Sequence, residues 1–279
     1  MISRAASLGR RGVYCNLDLS METLRVTFLG TATSIGIPVI GCDCDVCQST
    51  DPRNKRLRSS IYVETEACCW VVDTGPDFRT QCLREKIRRV DAVLYTHSHM
   101  DHVVGFDDLR RFTFGEVELP LYATKACLAD LKRMFSYAFN GENRYTGYIK
   151  PAPHEITGPF RLGECEVTPL PVDHGKVETI GFHFQVPGGK RFGYVSDCKT
   201  LHPETIAALE GVDVLVLDAL RFTSHPTHMN FEEALAMSAR LGAGKTWFTH
   251  FSDEVDHEKA QATLPKGVAL AYDGLKLEI

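Results

Sequence analysis

The stretch Thr96-His97-Ser98-His99-Met100-Asp101-His102 places four side chains of metal-ligand type within six positions. It follows Ala92-Val93-Leu94-Tyr95, a short apolar run that reads as a buried strand. His97 and His99 are two apart on extended chain, so their imidazoles project to one side. Asp101 and His102 fall where the chain turns into a following helix, and can face a second ion close to the first. A solvated polar loop has no reason to concentrate these residue types behind a core strand. Imidazole and carboxylate suit zinc, manganese and iron alike, so the pattern names a metal centre without naming the metal.

Two ions need more ligands than these four, and other strand ends supply them. His174 ends the stretch around Leu170-Pro171-Val172, Asp197 follows Phe192-Gly193-Tyr194-Val195, and His250 follows Trp247-Phe248-Thr249. A common edge of the sheets would bring these loops together. Two divalent ions there would lower the pKa of a bound water towards neutrality. They outweigh the carboxylates of Asp101 and Asp197, so the site would attract an anion such as a phosphodiester and stabilise its transition state. His228, in Pro226-Thr227-His228-Met229-Asn230, is placed to manage the leaving oxygen, and with Asp101 it forms the candidate catalytic set. His225 is a nearby competitor; His154, His183, His202 and His257 read as structural or surface.

The loop Gly41-Cys42-Asp43-Cys44-Asp45-Val46-Cys47 carries zinc spacing, and suggests a third, structural zinc. Cys68, Cys69, Cys82, Cys127, Cys165 and Cys198 read as core thiols. Ten cysteines without a secretory signal point to a reducing compartment and a cytoplasmic protein. With 44% hydrophobic and 24% charged residues, the chain can bury a large core. The formal charge of −5 argues against a nucleic-acid partner, and Arg53, Lys55, Arg56 and Arg58 read as a solvated loop. No apolar run reaches membrane-spanning length. The expected partner is a small phosphodiester, with a homodimer left open.

The elements that must hold these residues alternate between strand and helix. Strands are predicted at Leu24–Gly30, Ser59–Glu64, Cys68–Val72, Ala92–Tyr95, Leu119–Ala123, Cys165–Val172, Gly181–Val186, Arg191–Val195, Val212–Leu217, Lys245–Thr249, Val268–Ala271 and Leu275–Ile279. Predicted helices run from Asp77, as cap, towards Arg89, after Gly105, and over Cys127–Phe139, Pro203–Leu209 and Phe231–Leu241. Asn140–Pro153 reads as a lid or insertion, and Gly188-Gly189 as a hairpin turn. Two packed sheets covered outside by helices follow. Residues 21–279 read as one domain. Residues 1–20, with three arginines and no acid before Cys15, read as a frayed extension or a start placed ahead of Met21, with a transit peptide as the other possibility.

The pattern His97-x-His99-x-Asp101-His102, with His174, Asp197 and His250 downstream, resembles the metallo-β-lactamase superfamily signature. The resemblance covers nearly all of Leu24–Ile279 and implies an αββα four-layer sandwich. It implies that His97, His99 and His174 hold one ion, that Asp101, His102 and His250 hold the other, and that Asp197 bridges them. Asp73, in Val72-Asp73-Thr74-Gly75, matches an aspartate that orients the metal-bearing loop. Gly30-Thr31, Gly36-Ile37-Pro38, Gly41–Cys47 and Pro171–His174 are similar to PhnP-type phosphodiesterases, which open a cyclic ribose phosphate. In that family three such cysteines and a histidine hold a structural zinc, and His228 matches a histidine that contacts the substrate phosphate. Asp253 stands here where that zinc histidine is expected, with His257 as a substitute. Glyoxalase-II-type thioesterases would carry Gly-His-Thr where this chain has Asp173-His174-Gly175. A tRNA 3′-processing nuclease would want a basic RNA-binding protrusion, and β-lactam hydrolysis would need access to such drugs. An accessory protein like PqqB is the alternative outside catalysis.

Overall fold

The computed structural model describes residues 23–114, 117–141 and 147–279. The expectations for residues 1–20 and for a start at Met21 lie outside these residues. One sheet contains β1 (Arg25–Gly30), β2 (Ser60–Glu64), β3 (Cys69–Val72), β4 (Ala92–Leu94), β5 (Leu119–Ala123) and β6 (Pro151–Glu155). The second contains β7 (Phe160–Leu162), β8 (Cys165–His174), β9 (Val177–Gln185), β10 (Arg191–Val195), β11 (Thr200–Leu201), β12 (Val214–Asp218), β13 (Lys245–Thr249) and β14 (Val268–Leu270). The chain then returns to the first sheet as β15 (Lys276–Glu278), giving the orders β15-β1-β2-β3-β4-β5-β6 and β11-β8-β9-β10-β12-β13-β14, with β7 paired to β8. The helices are α1 (Asp45–Gln48), α2 (Phe78–Glu85), α3 (Met100–Val103), α4 (Lys125–Met134), α5 (Ser136–Phe139), α6 (Pro203–Leu209), α7 (Phe231–Leu241) and α8 (His257–Gln261).

Side-chain alternation makes this a four-layer sandwich. Along β3, Trp70 and Val72 face the inter-sheet core with Phe182 and Phe184, while Cys69 and Val71 face outward to Phe78 and Phe106. On the second sheet Val216 joins the same central core, and Leu215 and Leu217 turn outward to Leu209 and Phe231. Strands buried on both faces need apolar side chains at every position, and these runs have them. The αββα expectation holds.

Several boundaries differ from the expectation. The helix from Asp77 stops at Glu85 because Lys86 takes a left-handed turn, φ 57°. Asp77 makes no side-chain cap; its carboxylate accepts from Arg58 N at 2.9 Å and pairs with the Arg58 guanidinium. The segment predicted as one helix to Phe139 is two, broken at Phe135, whose ring stacks on Phe106 at 4.5 Å. Part of the expected lid is strand β6; its prolines sit on the sheet edge, where a missing N–H costs least. Residues 142–146 lie outside the described residues. Among the described residues no helix is long and apolar enough to cross a membrane.

β3-β4-β5-β6 and β10-β12-β13-β14 run parallel, so each set sends its carboxyl ends to one edge. Ligands in such sheets bind beyond those ends. At that edge the sheets are stitched together: Ala32 bridges both Arg58 and Phe251, and Ile180 N donates to Thr96 O at 3.1 Å.

Candidate metal centre

All seven residues expected as ligands arrive at this edge. His97 and His99 leave β4, Asp101 and His102 open α3, His174 ends β8, and Asp197 and His250 follow β10 and β13. Ligand-type atoms come within 4.8 Å of one another in the groups His97/His99/His174, His97/His102/Asp197 and Asp101/Asp197/His250. His97 Nε2 lies 2.9 Å from His99 Nδ1, which is 3.3 Å from His174 Nε2. Asp197 faces both sides: its Oδ1 is 3.4 Å from His102 Nε2, and its Oδ2 is 3.2 Å from His250 Nε2 and 4.0 Å from His174 Nε2.

The outer hydrogen bonds fix the ring tautomers. The Asp73 carboxylate accepts from Thr96 N and Thr96 Oγ1, at 2.9 and 2.8 Å, and from His102 Nδ1 at 2.7 Å. Since the Thr96 hydroxyl is spent on Asp73, its oxygen accepts from His97 Nδ1 at 2.9 Å. Ser59 Oγ donates to Ala32 O, so its oxygen accepts from His250 Nδ1 at 3.1 Å. His174 Nδ1 donates to the carbonyl of Thr227 at 3.0 Å. Each relay leaves a bare Nε2 pointing inward. Lone pairs gathered at this spacing in a buried site repel unless a cation lies among them. The buried His102 Nε2 and Asp197 Oδ1 have no hydrogen-bond partner, as an ion-binding atom requires. The residues therefore fit divalent ions.

Electrostatics agree. Burial holds the imidazoles of His97, His174 and His250 below their ordinary pKa, His250 at about 3, so they are neutral as ligands must be. Burial acts the same way on His102, but Asp197, Asp101 and Asp73 outweigh it and raise its pKa, marking where positive charge is wanted. Asp73 and His250 both have positive φ, 64° each, a strained backbone that turns their side chains into the site. The Asp73–Gly75 turn packs on α3 so closely that a Cβ on Gly75 would lie 2.0 Å from Asp101 O.

His228 is drawn into the same cluster, within 4.8 Å of ligand atoms of His174 and Asp197. Its ring stacks on His250 at 4.8 Å, and its Nδ1 donates to Asp218 Oδ2 at 2.7 Å. Burial opposes charge on His228, but the Asp218 carboxylate outweighs it and raises the pKa. His225 stands further out, 5.1 Å from the His228 ring, with Nδ1 accepting from Thr227 N. Asp218, Ser59 and Thr227 were not singled out by sequence: a serine before a strand and a strand-end aspartate carry no local signal, and Thr227 acts through its backbone.

Cys42, Cys44, Cys47 and Asp253 form a separate group within 4.8 Å, with Asp253 Oδ2 at 3.5 Å from Cys42 Sγ and 3.8 Å from Cys44 Sγ. The Cys47 N–H donated to Cys44 Sγ lowers that thiol towards the thiolate form. His257 does not converge with them; its backbone N–H binds Asn54 Oδ1 and its ring packs on Tyr272.

A model of the β-lactamase superfamily domain matches residues 70–251. A crystal structure of a diphosphatase from the PhnP family superposes with a TM-score of 0.85 and 39% identity, over 92% of this chain and 97% of that one. Coenzyme PQQ synthesis protein B of Methylorubrum populi is 31% identical over 224 residues, 70% of this chain and 72% of that protein. An octanoyltransferase of Porphyromonas gingivalis is 33% identical over 258 residues, 91% of this chain, which spans only 51% of that relative. The chain belongs to the metallo-β-lactamase superfamily, a hydrolase fold that implies divalent metal ions, and lies close to the PhnP-type enzymes.

Proposed function

We propose that the chain is a binuclear metal-dependent phosphodiesterase acting on a small phosphodiester. The carrying observation is the set of inward lone pairs on His97, His102, His174 and His250, grouped on both sides of Asp197. His97, His99 and His174 would hold one zinc or manganese ion and Asp101, His102 and His250 the other, with Asp197 shared. Ions held there supply Lewis acidity, which activates water and offsets charge on phosphate oxygens. The remaining work falls to the chain. Asp73 holds the His102 ring and, through Thr96, the His97 ring. His228, backed by Asp218, carries a proton towards the leaving oxygen.

The diphosphatase named among the solved structures favours a phosphoanhydride as the second reading; its phosphate leaving group needs less protonation than an alkoxide, so its turnover would depend less on His228. Acyl transfer of the kind named for the octanoyltransferase wants an accessible nucleophile. Cys198, the thiol next to Asp197, is fully buried. Turnover of cyclic ribose phosphates, cyclic nucleotides, bis-aryl phosphates, diphosphates and thioesters, measured with defined metal content, tests the reading. Phosphodiesters should lead. A preference for thioesters would overturn it.

Asp73→Asn keeps the shape but removes the charge opposite His102. It is expected to cost about 10- to 100-fold in metal affinity or rate, the usual scale for an outer partner of a ligand. Metal titration of the variant checks this, and unchanged affinity would reduce Asp73 to a fold residue.

Cys42, Cys44, Cys47 and Asp253 are proposed to hold a structural zinc that pins the Gly36–Cys47 loop. Three thiolates plus a carboxylate are costlier to gather than three thiolates plus neutral imidazole. Zinc is therefore expected to be stripped more easily from wild type than from Asp253→His. Cys44→Ala should lose this zinc and melt lower. Equal metal content and equal melting of all three proteins would remove the zinc from the account.

A further inference from the structure

A groove opens on the outer helical layer of the first sheet, between α2 and the 3-10 helix Val104–Phe112. Its cavity of about 460 Å³ is floored by Phe78, Ile87 and Phe112, and Leu83, 62% exposed, forms its lip. A second cavity of about 310 Å³ shares Arg88, Arg111 and Phe112 and lengthens the groove. None of these residues belongs to the groups that converge on Asp197.

The arginines around the opening fall into two groups. The neighbouring arginines are tied down: Arg84 to Glu85 and Asp273, Arg89 to Asp91, and Arg110 to Asp107. Arg79, Arg88 and Arg111 line the cavity exposed, with no acidic partner among the described residues. Arg111 lies over the Phe114 ring at 5.1 Å. Asp108 is the one carboxylate lining the main cavity; Asp91, paired with Arg89, and Glu118 line the extension. On a chain of net charge −5, three guanidinium groups over an apolar trough with no acidic partner among the described residues are a departure from the general surface. Guanidinium recognises carboxylate and phosphate through paired N–H donors, and an apolar trough gains from being covered.

We propose that this groove binds a single-chain anionic amphiphile, its carboxylate or phosphate head between Arg88 and Arg111 and its alkyl chain along Phe78, Ile87 and Phe112. The assignment is independent of the hydrolase reading. Both require one molecule to supply charge and apolar length together, which neither a bare anion nor a neutral hydrocarbon does.

Calorimetric titration of the full chain with sodium decanoate, below its micelle concentration, tests the site. Saturable one-to-one binding is expected, weakening as salt rises because the arginines are exposed. The double variant Arg88→Glu/Arg111→Glu should bind about ten-fold more weakly or worse, as like charge then meets the head. Leu83→Glu, on the exposed lip, should also weaken binding with little change in melting temperature, which separates loss of the site from loss of the fold. Unchanged affinity in the arginine variant would overturn the proposal, as would equal binding of decyltrimethylammonium. Acetate binding as tightly as decanoate would reduce the groove to a plain anion site. Adsorption to phosphatidylglycerol vesicles without decanoate binding would assign it to a membrane surface instead.

Discussion

Asp197→Ala is expected to abolish phosphodiester turnover and to lower the metal content of the chain. Asp197 faces His102 and His250 through different oxygens and His174 as well, so no other side chain can stand in for it. The loss should exceed the roughly 10- to 100-fold that removal of an outer partner costs. Removing this buried carboxylate also unbalances charge around His102, which sits among Asp197, Asp101 and Asp73. Asp197→Asn therefore serves as the second variant, since it keeps the volume and removes only the charge. Both should remain folded, because the inter-sheet core built on Trp70, Phe182 and Phe184 does not involve this loop. Near-normal rates with full metal content would take Asp197 out of the site.

His228→Ala should behave differently. It is expected to keep its metals and lose roughly 10²–10⁴-fold in rate, the scale of a general acid or base. The dependence on the leaving group carries the diagnosis. A nitrophenolate needs little protonation and should be hurt less than an alkoxide. Equal losses for both would make His228 a phosphate-binding residue, and no loss would return it to the structure of its loop. Asp218→Asn should move in the same direction, since the 2.7 Å hydrogen bond from His228 is what orients the ring.

How much of this was legible in the sequence follows from how local each signal is. The convergence of the seven candidate ligands was legible because strands β4, β8, β10 and β13 end beside one another, and strand ends show in hydrophobic runs as short as Ala92–Tyr95. Helices α6 and α7 were legible to the residue, the second because Asn230 and Glu233 form a reciprocal capping box before an amphipathic run. The relays through Ser59, Thr227 and Asp218 were not. Ser59 and Thr227 act across 191 and 53 residues and Asp218 across 10, and the value of each lies in which atom its hydrogen bond leaves bare. The fourth member of the cysteine group was open between Asp253 and His257 in the sequence; the fold brings Asp253 beside the thiols and carries His257 into α8 against Asn54. Strand β6 was hidden because two prolines in five residues argue against a strand until it is known to lie on an edge.

The most direct test counts metal per chain while following hydrolysis of bis(4-nitrophenyl) phosphate, first in the isolated protein, then after chelation, then as manganese or zinc is restored. The account predicts that turnover disappears with the chelated metal and returns in step with refilling of the site around Asp197. It also predicts that wild type recovers fully and Asp197→Asn does not. Phosphodiester turnover that persists in the metal-free protein, or a fully loaded protein that leaves every phosphodiester intact, would contradict it.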